Sequence, residues 1–411
     1  MAFNPLSEKG IPVSEQLRPW NDLVLDPIDA RSADPYTVSR IILMNGIEVE
    51  AVMFSHQFHR HTDNVDLRWA LSLNRRCDQN QQKTVNWLLP GDLSPLETTI
   101  SYEQVAVDLT SWLARHEPDP QLKMALDFAL LEDFDHLYRY ANLYELINGR
   151  NAAELTKSLT EITPGRPTIF HHTHPYDVVR PHYETHSVNP LSRMHVMTIV
   201  AAEQQTMNYY MNHGAEFMEP VARALYAEIA QVEEQHVTHY GSLLDPLDSW
   251  LCNLVFHELN EVYLYHSMFL QESDERVRRV WEIHRDMEIG QLQAACELMR
   301  TYEGRDPEEL LPPVLPEVPV TFETNKEYVR EVLASTVDLR QDGLGYRTAN
   351  DLPGDHRFFQ YQQTLNADIV PSEDVIAMNV DANGRDYRDE TEGPNPIVDL
   401  REPAASRGGV R

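Results

Sequence analysis

Apolar side chains recur at helical spacing along much of the chain, and the recurrences predict its elements. Val105, Leu109, Trp112 and Leu113 form one stripe, and Leu126, Leu130, Phe134 and Leu137 form the next. Between them lies Glu117-Pro-Asp-Pro120. Two prolines around an aspartate end one helix and turn the chain, so an antiparallel hairpin is expected here. A second hairpin is expected from about Pro190 to Leu244, turning between Gly214 and Pro220. Two more helices are expected in 247–303, turning at Gln271-Glu-Ser-Asp274. Upstream, 64–88 reads as a helix. The stretch 37–61 is ambiguous: its Val, Ile and Phe favour strand, but its length favours helix, which is the reading taken.

The remaining stretches lack a period. Residues 1–36 read as an extended arm. Residues 149–190 carry Pro164, Gly165, Pro167, Pro175, Pro181 and Pro190 and read as a long connection. After Gly304 come a stiff linker, Leu311-Pro-Pro-Val-Leu-Pro-Glu-Val-Pro319, a short helix in 323–338, and a polar tail over 380–411 that either wraps the surface or is disordered. The expected fold class is all-α in four parts: N-terminal arm and helices (1–94), a four-helix bundle (95–245), an appended helical hairpin (246–303), and linker and tail (304–411).

Composition narrows the functional classes. The 411 residues are 42% hydrophobic, enough for a large core, and carry a net charge of −31. Such an acidic surface argues against nucleic acid and anionic membranes as partners. No apolar run is long enough for a membrane span, and the first residues have no apolar signal core, so a cytoplasmic protein is expected. Cys77, Cys252 and Cys296 are odd in number and far apart, which gives neither a disulfide framework nor a Cys-x-x-Cys metal site.

The chemistry lies in two echoing motifs. Of 18 histidines, only His136 and His236 have an acid three positions earlier, Asp133 and Glu233. That spacing puts acid and imidazole on one helix face. Each pair is preceded, 30 residues upstream, by a glutamate followed by glutamine: Glu103-Gln104 and Glu203-Gln204. In a hairpin, residues equidistant from the turn sit at the same height, each roughly 22 Å of helix from it. Glu103 would therefore face Asp133 and His136, and Glu203 would face Glu233 and His236. Two such hairpins face to face bring four carboxylates and two imidazoles to one point, a set that binds two metal ions. A metal-free cluster of buried salt bridges is the alternative. Solvated faces are disfavoured by the apolar neighbours Phe134, Leu137, Val232 and Val237.

These residues resemble the ferritin-like di-iron carboxylate proteins, whose signature is Glu followed by Glu-x-x-His, repeated; rubrerythrins, ribonucleotide reductase small subunits and bacterial multicomponent monooxygenases share such bundles. The resemblance spans about 95–245 and departs at Asp133, where the family usually has Glu. It implies a ferritin-like four-helix bundle with a long crossover, and metal ligands Glu103, Asp133, His136, Glu203, Glu233 and His236. It also implies two Fe ions, with Mn or mixed Fe/Mn as the alternative, and a homo-oligomer is expected. The expected activity is that of an oxidoreductase activating dioxygen or peroxide toward a small-molecule substrate; with no Cys-x-x-Cys iron centre in the sequence, any electron donor is expected to be a separate protein. The alternatives are a ferroxidase or storage protein, a manganese catalase-like protein, and a scaffold with a vestigial site. The outer imidazole nitrogens need acceptors, for which Asp108 and Glu132 are candidates. His56, His59 and His61 read as a solvated helix end. His171-His-Thr-His174, His182 and His186 read as hydrogen-bonded loop residues, with a second metal site as the alternative. Tyr209, Tyr210, Phe217 and Tyr226 read as core. Glu258 and Glu288 repeat the 30-residue interval, with Gln291 in the histidine slot and His284 on the same face; this reads as a degenerate, structural third hairpin.

Overall fold

The structure, a computed structural model, describes residues 3–30 and 32–401. It is mostly helical, as the apolar periodicity implies. Eight long helices dominate: α1 Pro35–Arg60, α2 Val65–Trp87, α3 Pro95–His116, α4 Pro120–Asn148, α5 Pro190–His213, α6 Pro220–Gly241, α7 Trp250–Gln271 and α8 Glu275–Glu303. The ambiguous stretch 37–61 is thus helical. Four of these helices (α1, α3, α4 and α5) begin with a side-chain cap followed by proline. Asp34, Ser94, Asp119 and Asn189 each accept a backbone N–H in the first turn, and the proline at the next position has no N–H to leave unsatisfied. Helices α4 and α8 end at Gly149 and Gly304, both in the left-handed conformation (φ 62° and 65°) that glycine adopts without strain.

The helices pair as four hairpins, α1–α2, α3–α4, α5–α6 and α7–α8. The middle two pack together through α3 against α5 and α4 against α6. The outer two do the same: α7 lies against α1, and α8 against α2. The N-terminal helices and the last hairpin, expected as additions to the central bundle, therefore form a second four-helix set with each other. The two sets meet where α1 runs along α5. There Gly46 allows close approach: a Cβ on it would lie 2.7 Å from the Gln205 amide nitrogen and 3.3 Å from the Ala201 carbonyl.

The two halves of the chain repeat one another at an offset of 155 residues. Asp34-Pro35 caps α1 and Asn189-Pro190 caps α5; Ser94 caps α3 and Ser249 caps α7; Asp119 caps α4 and Asp274 caps α8. Contacts repeat as well. Glu117 accepts hydrogen bonds from Ser192 and from His195 Nδ1 (2.8 Å), while Glu272 accepts them from Thr37 (2.7 Å) and Arg40 (2.9 Å). Gly165 of the crossover lies on α4, 3.0 Å from the Leu131 carbonyl by its would-be Cβ, and Gly10 of the N-terminal arm lies on α8 against the backbone of Gly290. Each half contributes one hairpin to each four-helix set, so neither set belongs to one half.

The crossover 149–189 has three short helical turns and runs over α4 and α6. Beyond α8, the helix expected in 323–338 is α9, Lys326–Thr336. A two-stranded antiparallel hairpin follows, β1 Leu339–Asp342 and β2 Gly345–Thr348, then α10 Arg357–Leu365 and α11 Pro371–Asn383. No periodic signal announces the β hairpin. The described part of the tail wraps the central set: α11 packs on α4 and α6, Asn379 donates to Asn142 (2.9 Å), and Tyr138 donates to Asp386 (2.7 Å). Residues 402–411 of the expected tail lie outside the described residues. No helix among the described residues is long and apolar enough to cross a membrane.

Candidate metal centre

Glu103 on α3, Asp133 and His136 on α4, Glu203 on α5, and Glu233 and His236 on α6 come together at mid-helix. None is more than 1% exposed. Their donor atoms form two overlapping groups, each spanning no more than 4.8 Å: Asp133, Glu203, Glu233 and His236 in one, and Glu103, His136 and Glu233 in the other. Glu233 belongs to both. The other five residues, Asp133 among them, belong to one group each.

The imidazoles are oriented from outside the cluster. Arg166 C=O accepts from His171 Nε2 (2.5 Å), so the other nitrogen of neutral His171, Nδ1, is an acceptor. Burial drives the His171 pKa well below the ordinary histidine value, which keeps it neutral. His136 Nε2 lies 3.3 Å from that acceptor and donates to it. The lone pair of His136 then sits on Nδ1, which points inward, 3.0 Å from Glu233 Oε1. His236 repeats the arrangement with a carboxylate. Its Nε2 donates to Glu132 Oε2 (2.8 Å), and Glu132 is anchored by the buried guanidinium of Arg166 (3.0 Å). His236 Nδ1 faces Glu233, Asp133 and Glu203 at 3.2, 3.3 and 3.5 Å. Glu132 is thus the outer partner of His236, whereas Asp108 accepts from Thr160 (2.7 Å).

The cluster is rich in acceptors and poor in donors. Glu103 Oε2, both oxygens of Asp133, both oxygens of Glu203, Glu233 Oε1 and His136 Nδ1 make no hydrogen bond. Burial, with repulsion from neighbouring carboxylates, pushes the Glu103 and Asp133 carboxyls well above their ordinary range, and burial pushes Glu203 up to about 7. Burial also disfavours charge on Glu233, but the two imidazoles that face it outweigh this and hold that carboxyl down to about 2. Buried acceptors without donors are costly, and a multivalent cation at their centre is what the donor set fits.

Around the centre stands a tyrosine cluster. Tyr210 donates to Glu103 Oε1 at 2.6 Å. Its ring lies 5.2 Å from that of Tyr140, whose hydroxyl has no partner, and 5.7 Å from that of Tyr226. Tyr210 and Tyr226 also line a groove of about 520 Å³ with Met211, Ala230, His172 and Tyr361. Tyr210 and Tyr226 are buried in the core, as expected, and also lie between a carboxylate of the centre and the groove.

The other histidines stand elsewhere. His61 Nδ1 bonds the Gln57 carbonyl, and His59 contacts Arg68 and Ser72. His172 lies 3.4 Å from Glu228, His174 caps a helical turn, and His182 bonds the Tyr183 carbonyl. None of these joins a metal-binding group among the described residues. Sequence reasoning did not assign His171 its contact with His136, because the crossover has no period to fix its placement. The chain matches no protein-family model, no curated protein and no solved structure.

Proposed function

We propose that the central set is a ferritin-like bundle holding a carboxylate-bridged pair of iron ions, and that the protein is an oxidoreductase using dioxygen or peroxide. The observation that carries this reading is Glu233, shared by two donor groups that each contain one inward-facing imidazole nitrogen. Glu103, His136 and Glu233 would hold one ion, and Asp133, Glu203, Glu233 and His236 the other. An iron pair in such ligands supplies two-electron reduction of dioxygen or peroxide.

The chain's own residues supply the rest. Glu132 and His171 fix the two imidazoles in the tautomer that offers Nδ1 to a cation. Tyr210 holds Glu103 by its hydroxyl and shields that edge from the groove. The Tyr210–Tyr226 groove is of a size for a small organic substrate, which supports substrate oxidation over iron storage. Cys77, Cys252 and Cys296 are buried and widely separated, so electrons would come from a separate donor protein. Manganese in the same ligands is the second reading, supported by a set with four carboxylates to two imidazoles.

Elemental analysis of purified protein tests the reading, beside Asp133→Ala and His236→Ala. About two irons per chain, lost in both variants, is the expected result. Reduced, iron-loaded protein should consume dioxygen or peroxide, and Glu203→Ala should not. Manganese in place of iron would turn the assignment to catalase-like chemistry. Wild-type protein that takes up no metal after anaerobic Fe(II) loading would overturn it.

A further inference from the structure

The outer four-helix set carries the same register as the central one. Glu48 on α1 precedes Asp78-x-x-Gln81 on α2 by 30 residues, and Glu258 on α7 precedes Glu288-x-x-Gln291 on α8 by 30. At the 155-residue offset, Glu48, Asp78 and Gln81 correspond to Glu203, Glu233 and His236. In turn Glu103, Asp133 and His136 correspond to Glu258, Glu288 and Gln291. Both histidines are glutamines in the outer set, and Glu261 adds a fifth carboxylate. Each set also has a tyrosine on a carboxylate, at positions the 155-residue offset does not relate: Tyr265 donates to Glu48, and Tyr210 to Glu103.

These side chains meet. Glu258, Glu261 and Glu288 each bring an oxygen within 4.8 Å of the others. Gln81 Nε2 donates to Glu288 and to Glu48 (3.3 Å), and Gln291 Nε2 donates to Gln81 Oε1 (2.9 Å). Donors then run out. Glu48 Oε2, Asp78 Oδ1, Glu258 Oε2, Glu261 Oε1, Glu288 Oε2 and Gln291 Oε1 are buried with no hydrogen-bond partner, on residues at most 3% exposed. None of the five acids forms an ion pair among the described residues. Arg75, one turn before Asp78 on α2, acts on that carboxylate by charge without forming an ion pair, whereas Arg166 pairs directly with Glu132.

We propose that the outer set is a second cation site, built only from oxygen donors, that takes a hard divalent ion of the Mn²⁺, Ca²⁺ or Mg²⁺ class. Replacing both imidazoles by amides removes the nitrogen donors that favour iron and zinc and leaves carboxylate and amide oxygens, the donors of hard cations. Cavities reach the cluster from two sides. One of about 300 Å³ is lined by Gln81 and His284, and one of about 290 Å³ by Gln291 and Asn74, which itself donates to Glu258 (2.9 Å). The site does not depend on what the central set binds.

The test uses the full chain carrying His136→Ala and His236→Ala, which removes the imidazoles of the central set. Metal-free protein is titrated with Mn²⁺, followed by loss of the free-ion paramagnetic resonance signal, with Ca²⁺ as competitor and thermal unfolding in parallel. At least one Mn²⁺ per chain should bind, be displaced by Ca²⁺, and raise the unfolding temperature. Adding Glu258→Gln and Glu288→Gln should weaken binding at least ~10-fold and abolish the thermal shift. The same pair in the otherwise native chain should leave the central metal content unchanged. Glutamine in place of a repelled buried carboxylate should not harm the metal-free fold; circular dichroism checks this, and Glu261→Gln is the milder variant. A helical protein that binds neither ion, or binds them equally well with Glu258→Gln and Glu288→Gln, would overturn the proposal and assign the cluster to buried protons.

Discussion

Glu132 shows how much rests on one residue outside the proposed ligand set. It holds His236 and is held by Arg166, so Glu132→Gln leaves a buried guanidinium without its counter-charge. Loss of about 3–5 kcal/mol of stability is expected in a denaturant titration. As a positioning residue it should also weaken iron retention by ~10–100-fold in a chelator competition, with Glu132→Asp recovering part of the loss. Asp108 carries a different prediction. Burial raises its carboxyl to about 7 in the folded chain, well above the value near 4 of an unfolded chain. Its contribution to stability is therefore fully present below about pH 4 and is lost as the pH rises through about 7. Denaturant titrations should show Asp108→Asn gaining on the wild type from pH 5 to pH 7.5; a constant difference would refute this. Much at this scale was legible, because acid, histidine and a 30-residue interval are visible in any alignment of the chain with itself. Glu48, Asp78 and Gln81 were less legible than Glu258, Glu288 and Gln291: no histidine marks either copy, and Glu48 lies in the stretch 37–61 whose apolar residues suit strand as well as helix.

Helices and turns were legible where one stripe of apolar residues faces one core. Glu117-Pro-Asp-Pro120 and Gln271-Glu-Ser-Asp274 turn the chain where their composition implies. The β1–β2 hairpin and α11 were not, since contacts with α4 and α6 place them rather than any period of their own; Gln341, for example, bonds His239 across 102 residues. The N-terminal arm is likewise held by contact. Ile11 N–H donates to the Asp286 carbonyl (2.7 Å), and Gln16 Nε2 to that of Met287 (2.8 Å). A Cβ on Gly290 would lie 1.9 Å from the Ile11 carbonyl oxygen, against 3.0 Å from backbone for one on Gly165. Gly290→Ala should therefore displace the arm and expose 10–16 to limited proteolysis, while Gly165→Ala should loosen the crossover far less. Equal protease resistance of the two variants would refute the assignment.

On the scale of the molecule, the exchange of hairpins between halves makes the two four-helix sets interdependent. One core cluster takes Ile42 and Leu43 from α1, Met197 and Ile199 from α5, and Leu259 and Val262 from α7, so it crosses the boundary between the sets. Calorimetry should accordingly show one unfolding transition rather than two. Residues 1–160 or 161–411 expressed alone should retain no metal, because each half holds one hairpin of either set; co-expression should restore binding. Sequence reading stopped short of this arrangement because nothing in a helix's own periodicity says which other helix it will face. The exchange also bears on how the two centres differ. Were each half a separate but identical protomer, every substitution would be written into both centres at once, and losing a histidine from one would mean losing it from both. Joined in a single polypeptide, the copies are free to diverge, and one centre can keep its imidazoles while its twin explores another chemistry.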